Sequence, residues 1–384
     1  ENMTEPLAVS ACRTGPAPVH APKFDMTVND HAKVSDGFVL FTYWALASDS
    51  TGYSYPIAMM YDTEGKMVWY YEFDEFENVV IGDLQFTGKS GTVLIGLSKW
   101  ESLSGIPLEE GIEIDLEGNI VWRSAKIESA YGDLSSWHHT YELLDDGSLS
   151  FLGIEVSDMT IGDMIVNVDS GYGLIWSWSF FEHITPPEYN GTDWFDWTHA
   201  NSVNFDKDNG AVYVNSRNLS TYYKIAYPEG DIIWKLGENG DFKMLTDHSD
   251  PWFEFAHDPE NSGTVPGRIL FYDNGSVQKG RSRIIEYKID ETEMTAEIVF
   301  EYDGSKTGSE WFTEFGGDAD RLDNGNIFVT AGNTGPVLDT RLFEITSAGE
   351  LVWEMKFRKS EDWQINIYNA QKIETQKLLK RISQ

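Results

Sequence analysis

Four of the chain's eight histidines sit in short polar and aromatic stretches: His138 and His139 in SSWHHTYELL, His199 in DWTHANSVNF and His257 in WFEFAHDPEN. A lone arginine, Arg217, follows His199 in NSRNLS. Imidazoles beside a guanidinium form a compact donor array for a tetrahedral oxyanion. An imidazole can also act as nucleophile, or move protons near neutral pH. Histidines from three stretches could instead offer zinc its nitrogen ligands with a position left open, although a neighbouring arginine would repel the cation. Such a cluster is more informative here than in a neutral chain. With 28 Lys and Arg against 63 Asp and Glu the net charge is −35, which repels anions unless a local positive site overrides it. Asn201 is the polar partner of His199 among aromatic neighbours. Trp137, Trp194, Trp197, Tyr222 and Trp252 crowd the same stretches and could wall a pocket for a ring-shaped substrate.

Residues so far apart in the chain need a repeating frame to meet, and the sequence has one. A glycine turn followed by a β-rich run ending on tryptophan recurs as DTEGKMVWYYEF at 62, DLEGNIVWRSAK at 115, DSGYGLIWSWSF at 169, PEGDIIWKLGE at 228 and SAGELVWEMKF at 347. The marked residues are Trp69, Trp122, Trp176, Trp234 and Trp353, and IDETEMTAEIVFEYD fills the one double-length gap with Phe300 in the tryptophan's place. A second phrase, a glycine turn before an apolar strand, alternates with the first and carries Gly37, Gly91, Gly147, Gly210, Gly267 and Gly325. Two hairpins per repeat, without a convincing amphipathic helix before residue 369, specify four-stranded blades. Six copies around an axis predict an all-β, six-bladed β-propeller. We expect residues 1–34 to be a lead-in segment, residues 35–384 to form one catalytic propeller domain, and the tail from residue 369 to end in a short closing helix.

In a blade the innermost strand lines the central channel and precedes the strand of the second phrase. His138 and His139 fall there in blade three, His199 in blade four and His257 in blade five; Asp83 takes the slot in blade two and Asp318 and Asp320 in blade six. The remaining histidines, His20, His31, His183 and His248, fall in loops or the lead-in.

The stretch DWTHANSVNFDKDNGAVYVNSRNLSTYYKI, followed by GDIIWKLGENGDF, resembles the bacterial arylsulfate sulfotransferases, in which a Trp-x-His-x-Asn-Ser strand, a Ser-Arg turn and a Trp-x-Leu-Gly run come in this order. FAHDPENSGTVPGRILFYDNGSVQKGRSRIIEYKID is similar to the family's next block, WHHTYELLDDGSLSFL to its earlier histidine-rich one, and GDADRLDNGNIFVTAGN to its closing one. The resemblance covers roughly residues 36–370. It implies transfer of a sulfuryl group from a phenolic sulfate ester to a phenol acceptor, without the nucleotide sulfate donor and with no cofactor, by a ping-pong route through a sulfated histidine. By the same resemblance His257 matches the nucleophile. His199, Asn201 and Arg217 match groups that hold the sulfuryl oxygens, and either His138 or His139 matches a further histidine used in proton transfer or sulfate binding. Two features depart from the family pattern. Thr140 stands where the first block usually continues with Asp, and Cys12, the only cysteine, leaves no disulfide. Better-known members also dimerise through an N-terminal β-domain; with about 34 residues before the first blade here, we do not expect that mode for a homo-oligomer of this chain.

Composition sets the outer limits. The acidic field makes nucleic acid and anionic lipid poor partners, and no apolar run is long enough to span a membrane. ENMTEPLAVS lacks a charged region followed by an apolar one, and we expect a secreted or periplasmic protein whose signal has been removed. Four Asn-x-Ser/Thr sequons start at Asn2, Asn190, Asn218 and Asn274. Two other functions compete: a propeller polysaccharide lyase, with His199 or Tyr222 and Tyr223 as acid and base and Arg217 neutralising a uronate, and a non-catalytic propeller that binds a ligand in its channel.

Overall fold

The computed structural model describes residues 21–47, 56–73, 79–87, 91–99, 108–124, 127–129, 132–134, 137–157, 159–189, 191, 193–262, 265–332, 340–358, 363–375 and 378. Within them six antiparallel four-stranded blades follow one another around a ring. Blades two to six run inner to outer edge in chain order, their inner strands being Val79–Phe86, Trp137–Leu143, Ala200–Asp206, His257–Asn261 and Asp318–Arg321. Blade one is assembled from both ends of the chain. Phe38–Ala47, Ile57–Asp62 and Met67–Glu72 supply its outer three strands, and Trp363–Asn366 with Ala370–Ile373 supplies the inner edge. The propeller expected from the repeat is therefore present.

The two phrases take distinct places in each blade. All six marked glycines adopt positive φ at the turn into the second strand, which is what a tight turn there requires. The five tryptophans and Phe300 all lie on the fourth strand of their blades, counted outward from the channel. Their role is to join blades. Trp69 Nε1 donates to the Leu116 carbonyl of blade two at 3.0 Å, Trp176 to Pro228 of blade four at 2.9 Å, and Trp353 to Thr63 of blade one at 2.8 Å. Trp122 stacks on Tyr172 of blade three, with ring centroids 6.1 Å apart.

The hydrophobic core follows the same logic. The described residues form six buried clusters, each filling the gap between two adjacent blades; one joins Leu152, Ile165 and Trp178 of blade three to Val212, Val214 and Tyr223 of blade four. Both faces of a blade are thus covered, so strands such as Ala211–Ser216 are buried along their whole length rather than alternating in and out.

The termini bring two additions to the expected plan. Phe24–Asn29, inside the predicted lead-in, pairs with Leu351–Phe357 as a fifth, outermost strand of blade six. Ala370–Ile373, inside the predicted helical tail, is a strand, because Phe38–Ala47 would otherwise expose an unpaired edge to the channel. The helix starts later: Thr375 and Leu378 are helical and the Leu378 N–H donates to Glu374 O at 3.0 Å.

Candidate active site

The inner strands of blades two to five each slip register once: between Ile81 and Leu84, His138 and Tyr141, Ala200 and Ser202, and His257 and Glu260. A bulge at this point releases side chains from the regular pleat and aims them along the channel. His139 and Asp258 sit in these bulges at φ 60° and 40°, and His199, just before its strand, at φ 44°. Left-handed backbone at non-glycine residues is strained, and its recurrence at one level of three blades marks a built site.

His138, His139 and His257 lie at the start of an inner strand and His199 just before one, and the structure brings His139, His199 and His257 together with Arg217. The ring of His139 is 4.9 Å from that of His138 and 5.1 Å from that of His199, centroid to centroid. Tyr368, between the two closing strands, bridges His139 at 5.7 Å and His257 at 6.1 Å. Arg217 reaches the cluster because its blade-four hairpin folds back on His199, whose carbonyl accepts the Arg217 N–H at 3.2 Å.

His257, His199 and Arg217 are held by residues that sequence reasoning did not assign to the site, and His139 by its neighbour His138. His257 is buried; its Nδ1 lies 2.7 Å from Asn274 Oδ1, and its Nε2 accepts the Gly316 N–H at 3.1 Å. Asn274 donates in turn to the Thr313 and Gly316 carbonyls. An amide oxygen facing Nδ1 and an N–H facing Nε2 fix the Nδ1–H tautomer and leave the Nε2 lone pair as the reactive one. Burial, then the Arg217 charge, drive its pKa down to about 3, against the opposing pull of Asn274. His257 is therefore neutral at ordinary pH.

His199 Nδ1 is hydrogen-bonded to Asp196 Oδ2, and its own N–H donates to Asp196 Oδ1 at 3.1 Å. Arg217 donates from Nη1 to Asn218 Oδ1 at 2.8 Å and from Nη2 to Glu314 O at 3.0 Å, and lies 5.0 Å over the Phe255 ring. Two of its five N–H groups are used, so it keeps donors for an anion. His138 Nδ1 lies 2.7 Å from His139 Nδ1, and His138 Nε2 lies 3.1 Å from Asp163 Oδ1. Burial first, then the charges of His138, His199, His257 and Arg217, hold His139 well below the usual imidazole range.

Other candidates fall elsewhere. Asn201 is buried and its amide is spent between blades, donating to Ala256 O at 2.9 Å and accepting from Asn215 at 2.7 Å; it fixes the residue before His257. Trp197 packs against Phe180 and Phe181 between blades three and four, and Trp252 against Tyr287 between blades four and five. Tyr222 is buried with its hydroxyl accepting from Asn261. Trp197 and Trp252 are interblade packing rather than walls around the histidines, whereas Tyr222 also lines the channel cavity. The side chain of Trp137 lies outside the described residues, and Trp194 is exposed. Off the site, His183 stacks on Trp178, His248 pairs with Glu301 at 3.3 Å and His31 with Glu64 at 3.2 Å; His20 lies outside the described residues. Of the sequons, Asn274 is fully buried in the His257 anchor, and Asn2 and Asn190 lie outside the described residues.

Beyond the histidines the channel changes character. A cavity of about 370 Å³ is lined by Asp83, Glu142, Asp258, Glu260, Asp318 and Asp320 with neutral neighbours and no Lys, Arg or His. Among the described residues no group of three or more His, Cys, Asp or Glu is arranged to hold a metal.

The site thus gathers imidazoles from three neighbouring blades of a six-bladed propeller beside one guanidinium. The sequence profile of the arylsulfotransferase (ASST) family matches residues 26–369, nearly the whole chain, and the chain belongs to that family. Membership implies a sulfotransferase working on aryl sulfates and phenols. No curated protein matches the chain. Similar solved structures include the luciferin-regenerating enzyme, at 9% identity and TM-score 0.42 over 88% of this chain and 98% of that one. Another is the β-propeller domain of Cps50 (Swd1) from Myceliophteria thermophila, at 11% identity and TM-score 0.43 over 90% and 99%. Both are too distant to bear on chemistry.

Proposed function

We propose that the protein moves a sulfuryl group from an aryl sulfate to a phenol through a covalent sulfohistidine on His257, without a nucleotide donor. The observation that carries this reading is the convergence of His139, His199, His257 and Arg217, from three blades, around one neutral imidazole. In the first half-reaction His257 Nε2 attacks sulfur, the S–O bond breaks and its electron pair leaves with the phenolate. Arg217 and the neighbouring imidazoles offset the charge on the equatorial oxygens. The Gly316 N–H, which caps the Nε2 lone pair at rest, yields it to sulfur and is then placed to donate to a sulfuryl oxygen. In the second half-reaction an acceptor phenolate attacks the same sulfur and the S–N pair returns to Nε2.

Mass spectrometry of the protein after brief exposure to an aryl sulfate tests this. The expected result is a gain of one sulfuryl group on the peptide containing His257, and none in His257→Ala, which loses turnover. An active wild-type protein without any adduct would sink the covalent route.

A further inference from the structure

Sulfuryl transfer between phenols needs a proton delivered to one oxygen and collected from another, and the structure offers a path for it. We propose that Asp163, His138 and His139 form a proton relay in which His139 Nε2 exchanges the proton with the phenols, and His138, paired with Asp163, stores it. This rests on the sulfotransferase reading above and assigns its acid–base partner.

The geometry fixes the roles. Asp163, buried on the blade-three strand Thr160–Val168, uses Oδ2 to accept the Thr198 hydroxyl at 2.6 Å and the Ala200 N–H, and keeps Oδ1 for His138 Nε2. An ionised carboxylate only accepts, so His138 Nε2 carries a proton. His138 Nδ1 and His139 Nδ1, 2.7 Å apart, then share one proton between them. With the relay empty that proton rests on His139 Nδ1, and His139 Nε2 is a bare lone pair. With the relay loaded it rests on His138 Nδ1, His138 is an imidazolium beside Asp163, and His139 Nε2 carries an N–H. The groups facing His139 are His138, His199, His257, Arg217 and Tyr368. They and burial disfavour a charge on His139, whereas the Asp163 carboxylate, held below its usual range by His138, Thr198 and Ala200 despite burial, favours one on His138. A base of depressed basicity thus works by passing its proton on.

The protons balance over a cycle. The loaded relay gives the His139 Nε2 proton to the departing phenolate while His257 takes the sulfuryl group, and the His138 Nδ1 proton moves to His139 Nδ1. The emptied relay then takes the acceptor's O–H proton at Nε2, His139 Nδ1–H returns to His138, and the phenolate attacks sulfur.

Because the two half-reactions can be timed separately, Asp163→Asn has a distinctive signature. With 4-nitrophenyl sulfate, whose leaving group needs no proton, sulfation of His257 should slow by less than about threefold. Transfer to weakly acidic phenols should fall about 100-fold or more, the typical contribution of a positioned acid–base group, and recover progressively with more acidic acceptors. His138→Gln, which leaves Asp163 its contacts to blade four, should behave alike if Asp163→Asn does not fold. Equal losses in both halves and with all acceptors would mean a structural role and overturn the relay. Nitrogen-15 NMR of the resting enzyme reads the same point without turnover. At high pH wild type should show His138 protonated on Nε2 and His139 on Nδ1, the latter shifting to Nε2 in Asp163→Asn; unaltered tautomers overturn the proposal. A wild type that forms no sulfuryl-enzyme fails the covalent reading alone, since the NMR result stands apart from it.

Discussion

At the scale of single residues, Asn274 sets the tautomer on which the proposed role of His257 depends. Its amide oxygen, 2.7 Å from Nδ1, is the contact that keeps the proton off Nε2. In Asn274→Ala the buried Nδ1–H loses its partner, an unsatisfied donor worth roughly 1–3 kcal/mol, and the ring can turn or change tautomer. The expected outcome is a sulfation step slower by about 10- to 100-fold, as a misplaced reacting group costs, with the donor KM little changed, read as the burst of phenolate in stopped flow. The pH dependence follows from the same burial. Folding depresses the His257 pKa from 6.5 to about 3, so the imidazole is already neutral throughout the ordinary range. The sulfation rate should show no inflection from His257 between pH 5 and pH 8. Stability works in the same sense: between these two pKa values the unfolded chain binds more protons, so this group's contribution is complete above pH 6.5 and is lost as pH falls toward 3. An inflection near pH 6.5 that disappears with a His257 variant, with folding intact, would refute the buried neutral imidazole.

At the scale of strands and turns, most of the frame is visible in the sequence because each blade repeats the same local chemistry. Glycine at positive φ and tryptophan on the outer strand are needed once per blade, so Gly37 to Gly325 and Trp69 to Trp353 recur at blade spacing. The histidine slots follow, since an inner strand must precede each marked glycine. What local pattern cannot carry is contact between blades. Asp163, a lone charge in the apolar strand TIGDMIVNV, signals burial but not its partner, which lies 25 residues earlier in the next strand inward but one. Trp197, Trp252 and Tyr222 read equally well as pocket walls or as packing; the ring's need to fill six gaps between blades decides for packing at Trp197 and Trp252, while Tyr222 serves both. The closing strand Ala370–Ile373 has no turn phrase of its own; its partner lies at the other end of the chain. That closure makes one glycine unlike its counterparts. A Cβ on Gly37, at φ +143°, would stand 2.3 Å from Ile373 O, whereas a Cβ on Gly325, at φ +86°, meets nothing within 4 Å. Gly325→Ala should cost only backbone strain, about 1 kcal/mol, while Gly37→Ala adds a clash with the closing strand and should cost about 3 kcal/mol. Thermal unfolding, with proteolysis of the C-terminal tail as second readout, measures the difference; equal losses would mean the strand does not clamp the ring there.

At the scale of the whole molecule the acidic channel works against the fold as pH rises. Six carboxyl side chains line a cavity of about 370 Å³ with no basic residue among the lining, in a chain of net charge −35. Burial raises Glu142 from 4.5 to about 7, and burial together with its acidic neighbours raises Glu260 to about 7 against the opposing Arg321 N–H. Burial also raises Asp83, Asp258 and Asp318, and the Asp258 charge adds to the rise of Asp83. Asp318, hydrogen-bonded to Asp258, is raised further by Asp320 and Asp258, whereas that same bond opposes the rise of Asp258. Groups with raised folded-state values bind more protons in the native than in the unfolded chain, so their contribution is present below the unfolded pKa and is lost as pH climbs through the folded one. For Glu142 and Glu260 that window runs from pH 4.5 to about pH 7. Elsewhere Asp146 and Asp163, held below the usual range by Lys207 and by His138, act in the opposite sense at lower pH. Total stability therefore mixes both signs, and a difference measurement isolates the channel. Glu142→Gln keeps the volume and an acceptor for the Phe205 N–H but cannot ionise. Its melting temperature should match wild type at about pH 3, where Glu142 is neutral in both the folded and the unfolded chain, and exceed it by about 3 °C at pH 8. Added salt should narrow the gap by screening the field of the remaining carboxylates. A variant equally or less stable than wild type at pH 8 would show that Glu142 ionises in the channel without strain.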